Sequence, residues 1–344
     1  MPRRAQLSVS LAVLAIIATG SNLLPLATEN RNRGVADIVG RARLFSELGP
    51  GLHALKRDSG GRYYVLAAPA TAISVYRTDA KRVGQIPAAN SQDAKLVFAD
   101  DIDIDATGRL FVADRGANAV KIFKADGSLD TAIPVSAPTS VAALSGNEFA
   151  ITSLRADRLV RIYNDQGKVI RSFGDPHDVP TATSSSRYLN HGRLSSDPGG
   201  FIYFAFTDLP DATIRKYDRF GYSAYEISLP RPDEQSVSAS QTTGVDILAL
   251  ARRNQGATEK PVINAFGVDP VSQEVWAAVG DELSHFDKDG LLVGSYRTAT
   301  GNGTRLEPSA ILIEPERILL AADPLGVYEF ARPDKQAPAS SVKR

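Results

Sequence analysis

From Asp103 to Asp130 the chain reads DIDATGRLFVADRGANAVKIFKADGSLD, with apolar and polar residues alternating in short bursts between polar turns. One turn falls at Ala106-Thr107-Gly108, and alternation resumes through Leu110-Phe111-Val112. A polar loop from Asp114 to Asn118 follows, then a third burst from Val120 to Phe123 and a second turn ending at Gly127. Period-2 patterning with glycine-bearing turns this close together predicts short antiparallel strands joined as a meander. Such a meander cannot bury both faces alone, so it must stack against copies of itself.

The copies are found by their spacing. An aromatic residue ends the third strand and a glycine lies four positions later: Phe123/Gly127, Tyr163/Gly167, Tyr217/Gly221 and Phe286/Gly290. Tyr76/Ala80 and Phe330/Asp334 are degenerate versions. First-hairpin turns match too, at Asp58-Ser-Gly-Gly61, Asp105-Ala-Thr-Gly108 and Asp197-Pro-Gly-Gly200, with looser forms at Asp269-Pro270 and Glu314-Pro315. Intervals of roughly 40 to 70 residues fit a propeller, whose blades are four-stranded sheets of about 40–50 residues. The expected fold is all-β: six four-stranded antiparallel blades.

The unit centred on FVADRGANAVKIFKADG resembles an NHL repeat, the blade motif of a group of six-bladed β-propellers. ITSLRADRLVRIYNDQG and FAFTDLPDATIRKYDRFG resemble the same pattern, and the resemblance covers most of 52–334. It implies the fold and not an activity. Asp114 and Asn118 recur in that pattern as loop-shaping hydrogen bonders.

Residues 1–20 read as a secretory signal: Arg3 and Arg4 precede an uncharged run, and Ala18-Thr19-Gly20 offers small residues for cleavage. The alternative is an uncleaved anchor, since the uncharged run is nominally long enough to span a bilayer. The expected location is therefore periplasmic or extracellular, or membrane-anchored through this segment alone. Residues 21–50 form a lead-in with one strand-like piece, Ala42-Arg-Leu-Phe45, and the propeller occupies 51–334. A long polar segment, 230–262, carries a possible short helix around 245–253, and residues 335–344 have a disordered composition. Blade 6 lacks an apolar fourth strand, because Ala331-Arg-Pro-Asp-Lys-Gln-Ala-Pro338 is unsuited to pairing. The piece 42–45 is expected to complete it as its outermost strand and close the ring.

Charge and composition narrow the partners. Lys plus Arg and Asp plus Glu number 39 each, so no global basic footprint for nucleic acid exists. The 344-residue chain has no cysteine, which excludes disulfides, thiol catalysis and a cysteine metal site. A monomer is expected.

Loop lengths are asymmetric. Tight turns occupy one face of the disc, whereas insertions at 88–101, 174–190, 230–262 and 298–307 occupy the other. Function concentrates on long loops held by a rigid scaffold, so the binding surface is expected on that face, around the channel mouth. Aligning the innermost strands places His53, Asp100, Thr139, Gly192, Asn264 and Ser309 in a ring at that mouth, with His191 and Asp101 adjoining. A hydrated lining is one account of the ring. A ligand site, or a calcium, zinc or manganese site built on His53, Asp100 and Asn264, is the other. Arg115, Arg155 and Arg187 stand on the same face and could read an anionic group. His177 reads as a loop residue and His285 as a partly exposed strand residue.

Two functions follow. One is an exported binding or scaffold propeller that takes a protein, peptide or glycan ligand, as NHL-type propellers commonly do. The other is a metal-dependent hydrolase or lyase, since lactonase-like and amidating-lyase-like enzymes are similar in fold. No three-His set or G-x-S-x-G elbow accompanies that fold here, and Asp100, Asp101 and Asp103 form the nearest carboxylate set.

Overall fold

The computed structural model describes residues 35–45, 47–88, 91–92, 94–176, 190–208, 212–229 and 262–335. The expected signal segment, Arg187, His177 and the short helix around 245–253 lie outside them. Within them the chain is an all-β propeller of six blades, at 52–86, 99–134, 138–173, 192–228, 265–299 and 308–331. Each is an antiparallel sheet whose strands follow one another outward from the channel. Among the described residues no helix is long and apolar enough to cross a membrane.

The turn signals form as expected in five blades; in blade 6 Phe330 is followed instead by a 3-10 turn, Pro333–Lys335, and Asp334 takes no left-handed φ. Gly127, Gly167, Gly221 and Gly290 take left-handed φ values of 78° to 94°, and Ala80, their degenerate counterpart, takes 61°. A side chain pays a steric penalty there that glycine avoids. Successive blades are glued by six apolar clusters, one per interface. One joins Leu66 and Ile73 of blade 1 to Ile102 and Phe123 of blade 2, and the last joins Leu55 and Val65 of blade 1 to Leu319 and Val327 of blade 6. The blades therefore stand in a ring in chain order, with blade 4 opposite blade 1.

Both faces of a blade are covered by neighbours, so second strands are buried almost throughout, as in Leu110–Asp114 and Ile202–Phe206, and third strands for the most part. Alternation survives in outer strands such as Leu129–Pro134. This corrects the reading of His285, which is 1% exposed. It stacks on Trp276 with ring centroids 3.8 Å apart. Burial holds its pKa below the ordinary imidazole value, although Glu274 and Asp334 pull the other way.

Closure follows the sequence expectation. Strand Ala42–Leu44 pairs antiparallel with Gly326–Ala331, and Phe45 beyond it is buried against Tyr63 and Tyr76. The lead-in holds a second strand that the sequence reading left out. Ala36–Val39 pairs in parallel with the outermost strand of blade 5, Ala36 opposite Tyr296 and Val39 opposite Ala299. Gly40 N–H then bonds to the Ala299 carbonyl, and Arg41 N–H to the Glu329 carbonyl, so the lead-in steps from blade 5 to blade 6.

Candidate functional site

The ring of polar residues at the channel mouth has a backbone cause. In four blades the innermost strand carries an irregularity between consecutive pairs: Leu52/Ala54, Ala99/Asp101, Pro138/Ser140 and Pro308/Ala310. The bulged residues are His53, Asp100, Thr139 and Ser309, four of the six ring positions. A bulge re-aims a side chain and leaves its own backbone groups without ladder partners. Gly192 pairs without a bulge, and a Cβ there would stand 2.4 Å from Phe204. Close packing requires glycine at that position.

Two of the bulge carbonyls are satisfied from across the axis. Arg193 Nη1 donates to the His53 carbonyl at 2.9 Å and to the Ser309 carbonyl at 3.2 Å. A side chain from blade 4 that reaches blades 1 and 6 must cross the channel. Arg193 is therefore a bar dividing the mouth from the space beyond it.

At the mouth, Arg115 pairs with Asp100 through both Nε and Nη2, the latter at 3.3 Å. The same guanidinium lies over the Phe98 ring, 4.9 Å from its centroid. His53 meets that ring edge-on at 6.2 Å. Phe98 itself is 37% exposed. Its loop is held from beneath by buried Asp114, which accepts from the N–H groups of Val97 and Phe98 at 3.1 and 3.0 Å and pairs with Lys121 at 3.0 Å. Gly116 donates to the Phe98 carbonyl at 3.2 Å, and a Cβ at Gly116 would meet Phe98 N at 2.8 Å. Burial and then the Arg193 charge lower the His53 pKa, against the pull of Asp100.

A second polar pair belongs to blade 4. His191 Nδ1 lies 2.8 Å from Asp208 Oδ2, and Thr207 Oγ1 lies 3.1 Å from the same ring nitrogen. The carboxylate orients the imidazole and leaves Nε2 as the working nitrogen.

The structure thus brings His53, Asp100 and Arg115 together. Asn264 is used locally, its Oδ1 accepting the Gly280 N–H at 2.8 Å. Arg155 is exposed, and its backbone N–H bonds to Ser153 Oγ. Asp101 is turned into the wall, where Ser140 Oγ and the Val141 N–H bond to it. Among the described residues no three His, Asp or Glu side chains converge as metal ligands. Phe98 was missed in the sequence, where it is one aromatic in a polar insertion; its adjacency to Ala99-Asp100 was the available signal.

No family model matches the chain, and no curated protein matches it. Among solved structures it is similar to virginiamycin B lyase from Staphylococcus aureus, at 14% identity and a TM-score of 0.52, over 85% of this chain and 87% of that one. A streptogramin B lyase is similar at 13% identity and a TM-score of 0.53, over 86% and 87% of the two chains. U3-55K is similar at 12% identity and a TM-score of 0.53, over 84% and 79%. At such identities the likeness is one of fold: the chain is a six-bladed β-propeller.

Proposed function

We propose that this propeller is an exported recognition module of the NHL-like kind, binding a protein, peptide or glycan at the channel mouth on its long-loop face. The observation that carries the reading is the Phe98–Arg115–Asp100–His53 cluster. An aromatic ring and an arginine held rigid at a surface cost little further ordering on binding, and such pairs dominate interface energetics. Both are partly exposed, and their loop is fixed by Asp114 and Gly116. The test is a peptide- and glycan-array screen of the purified chain, repeated with Phe98→Ala and with Gly116→Ala. A hit weakened about thirtyfold by Phe98→Ala is expected. Hits indifferent to both changes, or none, would remove this reading.

A second reading is favoured by the His191–Asp208 pair, an oriented imidazole suited to general-base work in a hydrolase or lyase. The fold is shared with virginiamycin B lyase, for which a catalytically inactive histidine-to-alanine form is known with quinupristin. In the form that uses a divalent cation, His53 and Asp100 stand at the mouth, but a cation would have to displace Arg115 from Asp100 and the Gly280 N–H from the Asn264 oxygen. Turnover of lactone or ester substrates that His191→Ala abolishes would put this reading first.

A further inference from the structure

Beyond the Arg193 bar the channel widens into a cavity of about 550 Å³ that runs to the first-hairpin turns of blades 1, 2, 4, 5 and 6. It opens toward the tight-turn face, away from Phe98. Its volume falls in the range of small-molecule sites. Half-buried Ile104, Phe266, Val268 and Leu312 supply apolar wall, and charged side chains from four blades also line it: Lys56, Arg57 and Asp58, then Asp101, Asp103 and Asp105, with Arg193 and Glu314.

The acids and bases of this wall differ in what they have left to offer. Asp103 accepts from Lys56 at 2.9 Å and from the Ala143 N–H at 2.8 Å. Asp101 accepts from the Ile102 N–H at 2.9 Å, from the Val141 N–H at 3.3 Å and from Ser140 Oγ. Asp58 accepts from Arg62 and Tyr64, Asp105 from Thr107 and Arg109, and Glu314 from Tyr63 and Arg317, so each carboxylate of the lining already has its donors. The cations are not saturated. Arg193 spends Nη1 on two carbonyls, and its Nε and Nη2 have no hydrogen-bond partner among the described residues. Lys56 has three N–H donors and one acceptor, Asp103. A cation facing a cavity without enough acceptors gains from any ligand oxygen that replaces water there.

We propose that this cavity binds a small organic or inorganic anion, whose carboxylate or phosphate oxygens accept from Arg193 and Lys56 while its carbon skeleton, if any, lies along the apolar wall. Such a site is separate from the loop-face surface and needs no ligand there. Arg193 couples the two structurally, because the guanidinium that would hold the anion also braces the bulges of His53 and Ser309.

The experiment is calorimetric titration of the full chain with succinate, with inorganic phosphate and with neutral succinamide, at constant ionic strength. Saturable binding of at least one anion and none of succinamide is expected, and the anion that binds tells the carboxylate and phosphate sources apart. Lys56→Gln should weaken it about tenfold or more, the loss expected for a charged hydrogen bond. Arg193→Gln should do the same, and Arg193→Lys should recover part of it. Lys124→Gln, at an exposed outer turn, should change nothing. Should Arg193→Gln fail to fold, Lys56→Gln alone decides. Absence of binding by both anions, or affinity unchanged in Lys56→Gln, overturns the site.

Discussion

A Phe45→Ala variant should melt about 10 °C below the parent chain. Phe45 is the residue on which the closing strand turns inward, taking a left-handed φ of 54° and packing 4.6 Å from Tyr76 and 5.3 Å from Tyr63. It is buried in the cluster that joins blade 1 to blade 6. Truncating a buried phenylalanine costs about 3–5 kcal/mol, lost transfer energy plus the cavity left behind. At roughly 2–4 °C per kcal/mol for chains somewhat smaller than this one, a loss near 10 °C follows. The loss should appear as one cooperative transition, because the ring shares its interfaces. Thermal denaturation followed by circular dichroism checks it. A shift below about 3 °C would mean that the lead-in decorates the ring without closing it.

Replacing Arg332 should be as costly, and the cost should depend on pH. Arg332 is 1% exposed and joins two carboxylates of blade 5 to one at the end of blade 6. Nη1 pairs with Asp269; Nη2 pairs with Glu274 at 2.9 Å and Asp334 at 2.8 Å. Burial raises the pKa of Asp269 and of Asp334, but the hydrogen bonds and charge of Arg332, with backbone N–H groups, together hold both below the ordinary carboxyl value. Folded-state values below the unfolded one stabilise the protein above the unfolded pKa of about 3.9, and that contribution is lost as pH falls from there through the lower folded values. Arg332→Met leaves the carboxylates buried without their counter-ion, a loss of about 3–5 kcal/mol at pH 7. Their pKa values should then rise, so acidification toward pH 4.5 relieves the variant, while in the parent Asp269 and Asp334 stay ionised there and keep their contribution. Urea melts at pH 7 and pH 4.5 should show the gap between the two proteins narrowing. A gap that is constant or widening would contradict the account.

The difference between what the chain discloses and what it hides is visible in these two residues. The aromatic-plus-glycine spacing marked four blades because each turn is local, and a left-handed turn leaves its residue type in the sequence, as at Gly127 and Gly167; Ala80 keeps the turn in blade 1 without the glycine. The missing strand of blade 6 was legible for the same reason, since two prolines forbid pairing there. Ala36–Val39 was not, because a parallel pairing carries no turn signal. Arg332 reads as an ordinary charge after a strand; its partner Asp269 lies 63 positions away. The site divides likewise. The ring of His53 and Asp100 followed from aligning inner strands, whereas the roles of Phe98, Arg193 and Asp208 depend on bulges and on side chains that cross between blades. Asn264 fits the alignment but spends its oxygen on its own blade.

The lead-in also sets an order of events during synthesis. Ala42 must wait for Glu329, about 290 residues later in the chain, before blade 6 can be completed. Bringing such distant segments together adds only slowly growing entropy, so the pairing is affordable at equilibrium. In time it is different: long-range pairing is slow, and a domain emerging from its N-terminus exposes the apolar faces of early blades until the last arrives. Blade 1, whose face toward blade 6 includes Leu52, Leu55 and Val65, is the most exposed in this sense. The propeller thus becomes native in its last step or not at all, and a chain stalled before residue 326 would present an open edge and an uncovered hydrophobic wall together.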